Sequence, residues 1–265
     1  MDILQEAIKA VKEAGKEVLK VYGSSDFSVR DKGDNDPVTK ADLASEKIVL
    51  ESLKKFDYGI LSEESADNPE RLNKERVWII DPLDGTKGFI EKSGEFSIMI
   101  GLAENGVPIL GLVYQPVEDK LYFAQKGQGA FLESREGVRD LRVSETFNFK
   151  EVRPVVSRHH LSEEEARFIK KMRFRKMQKQ GSIGLKIGLL AGGVADFCFY
   201  ANPKTWEWDS CSPQVILEEA GGTMTDIRGE ELTYNKKDPR NPNGLLATNS
   251  LLHKRVVEEL NKFFG

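Results

Sequence analysis

Two aspartates follow an apolar run and precede a glycine and a hydroxyl residue. The run is Val77-Trp78-Ile79-Ile80, and the polar segment is Asp81-Pro82-Leu83-Asp84-Gly85-Thr86. Two ionised carboxylates about 4 Å apart near a protein surface repel each other by roughly 4 kcal/mol, and a divalent cation between them removes that repulsion. Their hard oxygens suit magnesium or manganese. The segment therefore predicts a metal site at the end of a buried strand, with an ordinary turn as the alternative.

Other groups could join this site. Glu63 follows the short apolar segment Ile60-Leu61, and acids at the ends of neighbouring parallel strands meet at one edge of a sheet. Asp42 and Asp209 lie near the starts of predicted helices, where capping is the alternative role for each. The backbone N–H groups of Gly85 and Thr86 are suited to bind an anion if a helix begins there.

The composition of the whole chain permits an enzyme and argues against several other classes. The 265 residues carry a net charge of -4, with a pI near 5.7, which argues against a general nucleic-acid or membrane-surface binder. Two cysteines, Cys198 and Cys211, are too few for a disulfide framework and favour a reducing compartment. No apolar targeting segment or membrane span is evident, so the sequence predicts a cytoplasmic protein.

The elements that must position these residues alternate between helical and strand periodicity. An amphipathic first helix ends at Gly23, and a turn over residues 36–42 leads into a second helix. Two β-hairpins follow between residues 96 and 132. Further along, Ser162 begins a capping box, and residues 183–191 form a predicted buried helix.

This order of elements predicts an α/β protein built as a layered sandwich. The expected organisation has two halves with a soft boundary around residues 134–150. Residues 1–140 form an N-terminal α+β half that carries most of the candidate metal ligands. Residues 141–265 form a C-terminal α/β half that carries Asp209 and the residues that select the substrate.

Four motifs in this chain resemble those of the inositol monophosphatase superfamily, which contains lithium-sensitive, magnesium-dependent phosphatases of small molecules. The resemblance extends from the first helix to Leu246-Ala247-Thr248. It implies the α-β-α-β-α sandwich of the inositol monophosphatase and fructose-1,6-bisphosphatase type. The motifs are Val38-Thr39-Lys40-Ala41-Asp42, Ser62-Glu63-Glu64-Ser65, the segment from Asp81 to Thr86, and Trp208-Asp209.

Within that superfamily the chain is most similar to the 3′(2′),5′-bisphosphate nucleotidases. Lys87 directly follows the Asp-Gly-Thr segment, and Lys186 follows the Gly181-Ser182 turn. The segment Ser157-Arg158-His159-His160 adds to the resemblance. Two features depart from it, because Gly88 stands where an acidic residue is common and the loop over residues 181–186 is spaced partly as in inositol monophosphatases.

The resemblance implies hydrolysis of the 3′(2′)-phosphate of adenosine 3′,5′-bisphosphate to AMP and phosphate. The alternative is an inositol-1-monophosphatase or a broad-specificity sugar phosphatase. A catalytically silent, ligand-binding relative is a third interpretation, which the intact set of acids argues against. The expected protein is a monomer or a homodimer whose partner is a phosphorylated small molecule, with neither nucleic acid nor membrane involved.

The resemblance also implies a role for each candidate residue. Two or three Mg²⁺ ions, for which Mn²⁺ could substitute, would be held by Glu63, Asp81, Asp84, Asp209 and the Leu83 backbone carbonyl. The attacking water would be oriented and deprotonated by Asp42 and Thr86. The substrate would contact Gly85, Thr86, His160, Ser182 and Lys186.

Overall fold

The chain folds into alternating helices and strands. The computed structural model describes residues 2–24, 27–31, 37–174 and 176–264. The helices in these ranges are α1 (Ile3–Gly23), α2 (Lys40–Leu53), α3 (Thr86–Ile90), α4 (Glu163–Met172), α5 (Ile183–Ala191), α6 (Glu207–Glu219) and α7 (His253–Phe264), with a short 3-10 helix over Pro69–Asn73. None of these described helices is long and apolar enough to cross a membrane.

The strands form two larger sheets and two short pairs. They are β1 (Arg30–Asp31), β2 (Pro37–Val38), β3 (Gly59–Ser62), β4 (Arg76–Asp84), β5 (Ser97–Glu104), β6 (Val107–Gln115), β7 (Lys120–Gln125), β8 (Ala130–Ser134), β9 (Gly137–Asp140), β10 (Val155–Ser157), β11 (Gln178–Gln180), β12 (Phe197–Tyr200), β13 (Thr223–Thr225) and β14 (Leu245–Thr248). Strands β3 to β9 form a seven-stranded sheet in chain order, and β12-β14-β13 form a three-stranded sheet. β3 runs parallel to β4, and the predicted hairpins are β5–β6 and β7–β8.

The two sheets alternate with three pairs of helices. Helices α1 and α2 cover one face of the seven-stranded sheet, where Trp78 and Leu112 are fully buried. Because side chains alternate along a strand, Met99 and Val113 point to the opposite face, which α5 and α6 cover. The three-stranded sheet packs beyond α5 and α6, and its outer side carries α4 and α7. This arrangement is the predicted α-β-α-β-α sandwich.

Two segments differ from the prediction. The turn predicted over residues 36–42 contains strand β2, which pairs with β1, while residue 36 lies outside the described residues. A two-residue strand is too short to show the alternation from which strands are predicted. The predicted boundary region also contains β9, which extends the larger sheet to Asp140. All four residues of β9 are exposed, so the strand has no apolar face that a sequence pattern could reveal.

Helix α6, which carries Asp209, lies very close to the sheet at Gly111. A Cβ atom added at Gly111 would lie 2.2 Å from the backbone carbonyl oxygen of Ser212. The Ser212 hydroxyl donates a hydrogen bond of 2.7 Å to the Leu112 carbonyl at the same place. The absence of a side chain at Gly111 therefore sets how close α6 comes to the strands that carry the other acids.

We expect Gly111→Ala to lower the free energy of unfolding by roughly 1–3 kcal/mol, because the methyl group must displace the backbone of α6. Urea denaturation measures the effect. Gly23→Ala is the matched control, since nothing lies within 4 Å of a Cβ added there and alanine favours a helix. A Gly111→Ala protein as stable as the Gly23→Ala protein would contradict the close approach of α6.

A candidate metal-binding active site

Three aspartates converge at the edge of the seven-stranded sheet. Asp81 and Asp84 lie at the carboxyl end of β4, and Asp209 lies in the first turn of α6. One carboxylate oxygen from each lies within 4.8 Å of the others. Asp81 and Asp84 are only 2% and 7% exposed, and Asp209 is half-buried. The geometry gathers three hard oxygen donors in a place largely shielded from water.

The electrostatics of this group favour a bound cation. Burial raises the pKa of Asp81 well above its usual range, and the negative charges of Glu63, Asp84 and Asp209 raise it further. Burial also raises the pKa of Asp209, although the Trp206 amide donates a hydrogen bond of 2.7 Å to it. Such shifts arise when carboxylates share a low-dielectric space without enough counter-charge. Oxygen ligands of this kind fit magnesium or manganese.

Glu63 lies beside this group and not inside it. It follows β3, and its amide donates a hydrogen bond of 3.2 Å to the Ile80 carbonyl of the parallel strand β4. Its negative charge acts on both Asp81 and Asp209. Among the described residues, however, the close group of carboxylate oxygens comprises the three aspartates alone. The structure thus brings three predicted acids together and places the fourth at their border.

Asp84 has the most hydrogen bonds of the three aspartates. Its Oδ1 accepts one from the Ile183 amide at 3.0 Å, and its Oδ2 accepts one from the Gly184 amide at 2.8 Å. Oδ2 also accepts from the hydroxyls of Ser182 and, at 3.3 Å, Ser97. Helix α5 therefore starts on a carboxylate, which the helix dipole favours. Because Oδ2 has three donors and Oδ1 has one, Oδ1 is the oxygen with a lone pair left for a cation.

Thr86 and Asp42 form a second unit next to the aspartates. The Thr86 hydroxyl lies 3.2 Å from Asp42 Oδ1 and 3.1 Å from the Leu83 carbonyl oxygen. Asp42 Oδ2 accepts from the amide and the hydroxyl of Thr39, at 2.8 and 2.6 Å, in the capping box of α2. Burial raises the pKa of Asp42 to about 6, against the opposing effect of those bonds. A carboxylate with such a pKa, beside a hydroxyl, is suited to accept a proton near neutral pH.

Ser182 and Lys186, which were predicted to contact the substrate, lie at the start of α5. Both are 0% exposed. The Ser182 hydroxyl caps α5 by accepting from the Leu185 amide at 3.0 Å, and it donates to Asp84. The Lys186 ammonium donates at 2.9, 3.4 and 2.9 Å to the backbone carbonyls of Gln180, Gly181 and Ser182. In this structure both side chains are buried and have internal partners, and their contact with substrate stays a prediction.

His160 is an exposed residue in a positively charged part of the surface. Its amide donates to the Ser157 hydroxyl at 2.9 Å. Crowding of the imidazole by protein atoms lowers its pKa to about 4, and nearby positive charges contribute to the shift. The ring is therefore neutral at pH 7. The lysines that contribute are Lys87, Lys186 and Lys204.

Two residues that position the site were missed from the sequence. Ser97 is 0% exposed, and its hydroxyl lies 3.0 Å from that of Ser182 in addition to its bond with Asp84. Glu95 accepts from the Gly181 amide at 2.8 Å and pairs with Arg158 at 2.5 and 2.7 Å. A serine beginning an otherwise apolar strand was the available signal for Ser97. Glu95 lies in a loop and gave no comparable signal.

Comparison with known proteins gives concordant results. The sequence profile described as the inositol monophosphatase family matches residues 1–263. The 3′(2′),5′-bisphosphate nucleotidase CysQ of Aggregatibacter actinomycetemcomitans is 34% identical over 250 residues, with 92% of each chain covered. The crystal structure of CysQ from Bacteroides thetaiotaomicron gives a TM-score of 0.81 at 32% identity, covering 92% of this chain and 96% of that one. A Thermotoga maritima protein named fructose-1,6-bisphosphatase/inositol-1-monophosphatase is 30% identical over 269 residues, covering 99% of this chain and 97% of that one.

Asparagine substitutions should separate the roles of the two strand aspartates in metal-free protein. Asp84→Asn should lower the free energy of unfolding by about 1–3 kcal/mol, because its amide nitrogen must face the N–H of Ile183 or Gly184. Asp81→Asn should leave it unchanged or raise it by roughly 1 kcal/mol. In the unchanged protein, Asp81 Oδ1 accepts a hydrogen bond of 2.9 Å from the Leu83 amide. The side-chain oxygen of an asparagine can still accept this bond, and the substitution removes a buried charge.

Urea unfolding in EDTA measures both variants against the unchanged protein. Because the two residues lie on one strand and receive the same substitution, each serves as the control for the other. Equal destabilisation of the two variants would contradict the hydrogen-bond pattern described for Asp84.

Proposed function

Because this chain belongs to the inositol monophosphatase family and is a phosphatase, we propose that it hydrolyses adenosine 3′,5′-bisphosphate to AMP and phosphate with magnesium. The observation that carries this proposal is the convergence of Asp81, Asp84 and Asp209 beside the Thr86–Asp42 pair. The relatives named as 3′(2′),5′-bisphosphate nucleotidases support the choice of substrate. The presence of all the expected acids in the sequence argues against a catalytically silent relative.

The metal ligands would be the oxygens that the fold already gathers. Two or three Mg²⁺ ions, or Mn²⁺ in their place, would be held by Glu63, Asp81, Asp84, Asp209 and the Leu83 carbonyl. When bound, such ions lower the pKa of a water molecule and neutralise charge on the leaving oxygen. The raised pKa values of Asp81 and Asp209 support this assignment, because both carboxylates lack sufficient counter-charge.

Thr86 and Asp42 would remove a proton from the attacking water. The Thr86 oxygen would accept that proton while its own hydroxyl proton passes to Asp42 Oδ1, 3.2 Å away. The Leu83 carbonyl competes for the same hydroxyl at 3.1 Å. If the Leu83 carbonyl held a cation, Asp42 would be the acceptor that remains for the Thr86 hydroxyl. Its other oxygen already accepts two hydrogen bonds from Thr39, so Oδ1 is the atom that receives the proton.

The phosphates of the substrate would be bound by backbone amides and by lysines. The amides of Gly85 and Thr86 head α3, where a helix has no carbonyl four residues earlier to accept from them, and they would bind the phosphate that is cleaved. The second phosphate would lie near His160, within the positive field of Lys87 and Lys204. These lysines replace Lys186, whose ammonium is engaged by three carbonyls.

An inositol-1-monophosphatase or a broad-specificity sugar phosphatase is the second candidate. The Thermotoga maritima relative carries a name of that kind. The buried position of Lys186 also favours it, because this lysine is not available to select a substrate with two phosphates. The two candidates differ in whether the charge of Lys87 and Lys204 strengthens substrate binding.

A substrate panel assayed by phosphate release tests the proposal. With Mg²⁺, kcat/KM for adenosine 3′,5′-bisphosphate should exceed that for inositol 1-phosphate and fructose 1,6-bisphosphate by roughly tenfold or more, because a second phosphate gains charge-assisted hydrogen bonds. EDTA should abolish turnover, and Mg²⁺ or Mn²⁺ should restore it. Faster hydrolysis of inositol 1-phosphate would overturn the nucleotidase proposal in favour of the second candidate.

Thr86→Ala should lower kcat by roughly 10²–10⁴-fold and change KM much less, because the proton relay is lost. Thr86→Ser is the matched control, since it keeps the hydroxyl and should keep most of the activity. Asp42→Asn should cause a similar loss. In the double variant the losses should not multiply, because residues acting as a unit are non-additive. If, at saturating Mg²⁺, the loss of kcat in the double variant equalled the product of the two single losses, the two residues would act independently.

A further inference from the structure

Two tryptophans stack on each other at the start of α6, beside Asp209. The ring centroids of Trp206 and Trp208 lie 5.0 Å apart, and their planes differ by 6°. Trp208 packs against a buried cluster that includes Leu61 and Ile79. Trp206 is half-buried and belongs to none of the hydrophobic clusters formed by the described residues. The order from the interior outward is therefore core, Trp208, Trp206.

The backbone around Trp206 is fixed from both sides. Its amide donates to Asp209 Oδ2 at 2.7 Å, and its carbonyl accepts from the Asn241 side-chain amide at 2.9 Å. The preceding carbonyl, of Thr205, accepts from the Asn241 backbone amide at 2.9 Å. The following amide, of Glu207, donates to the Pro239 carbonyl at 2.9 Å. The backbone that carries the indole is thus fixed one helical turn from Asp209, and the ring itself rests on Trp208. A ring held in this way loses less entropy when it binds a substrate.

The Trp206 ring is partly accessible to solvent and makes no cation–π pair in the described parts of the chain, although the Trp206 backbone forms a β-bridge with Arg240. Its one ring contact is with Trp208, and the cation–π pairs of the structure involve other rings. Leaving an indole partly exposed to water beside Asp209 does not stabilise the fold, because it exposes apolar area. Its position therefore suggests a role in binding. A flat aromatic face of this kind is the surface on which nucleobases stack. Inositol and sugar rings have no π-face to pair with it.

We propose that Trp206 is the stacking surface for the nucleobase of the substrate and so determines specificity for nucleotides. The base would lie as the third ring of the series Trp208, Trp206, base. This inference rests on the proposed function, since it concerns the same site. It adds a binding residue on the side of the site formed by α6 and residues 239–241.

Tryptophan fluorescence gives a test that does not depend on turnover. The full chain with Mg²⁺ is titrated with AMP, which should quench the fluorescence to saturation. Trp206→Leu should lose most of the quenching and bind AMP about tenfold or more weakly. Ribose 5-phosphate, which lacks a base, should bind the two proteins alike. Phe147→Ala is the matched control, because Phe147 is a 76% exposed aromatic residue outside the site.

Kinetics separate stacking from a merely structural role. With adenosine 3′,5′-bisphosphate, Trp206→Leu should raise KM about tenfold and affect kcat much less, while Trp206→Phe should recover most of the affinity. Equal losses of kcat on every substrate would show that Trp206 only positions Asp209 and would overturn the inference. If Trp206→Leu does not fold, Trp206→Phe decides, because unchanged AMP quenching in that variant excludes Trp206 as the contact.

The two proposals fail in different ways. If the unchanged protein does not hydrolyse adenosine 3′,5′-bisphosphate, the proposed function is wrong, and the AMP titration still shows whether Trp206 binds a base. If the protein hydrolyses this nucleotide but AMP affinity is the same in Trp206→Leu, the function stands and the stacking inference is overturned.

Discussion

The carboxylate of Asp84 joins the two halves of the chain, and the position of the whole site depends on that link. It ends β4, yet its oxygens accept the N–H groups of Ile183 and Gly184, about a hundred residues further on. A buried carboxylate is costly without such donors, and here the N-terminus of α5 supplies them. Ser97 and Ser182 complete the arrangement. The edge of the larger sheet and helix α5 are thereby held together, and the third aspartate, Asp209, approaches the same edge on α6.

Part of this site could be predicted from two short strands. β3 and β4 are largely apolar, and an acid follows the first strand and lies near the end of the second. Their parallel register pairs Ser62 with Ile80, so Glu63 and Asp81 are placed side by side at the edge of the sheet. Strand patterns and the geometry of parallel sheets suffice for that inference. The position of Asp209 could not be predicted in this way, because it depends on how α6 crosses the sheet at Gly111. No local pattern encodes that crossing, so only the resemblance to a family predicted that Asp209 joins the other aspartates.

The features that the sequence did not reveal also have physical reasons. A buried helix over residues 183–191 was predicted correctly, but a helical pattern does not reveal that the preceding loop turns three carbonyls toward Lys186. The glycine at position 88, which departs from the nucleotidase pattern, is likewise explained by the structure and not by the sequence. A Cβ added there would lie 2.7 Å from the Glu95 carbonyl oxygen, so an acidic side chain requires a different course of this loop. The departure therefore reflects local packing around Glu95.

The buried position of Lys186 changes how the charges of the site are balanced. Burial lowers its pKa to about 8, with the negative charge of Asp84 opposing the shift, so the ammonium is mainly protonated at pH 7. A fixed positive charge therefore lies on the interior side of the aspartates, while Lys87 and Lys204 act on the exposed His160. Interior charge of this kind offsets part of the repulsion that burial creates among the carboxylates. An approaching phosphate consequently meets cations at the surface of a site whose negative charge is already partly compensated from within.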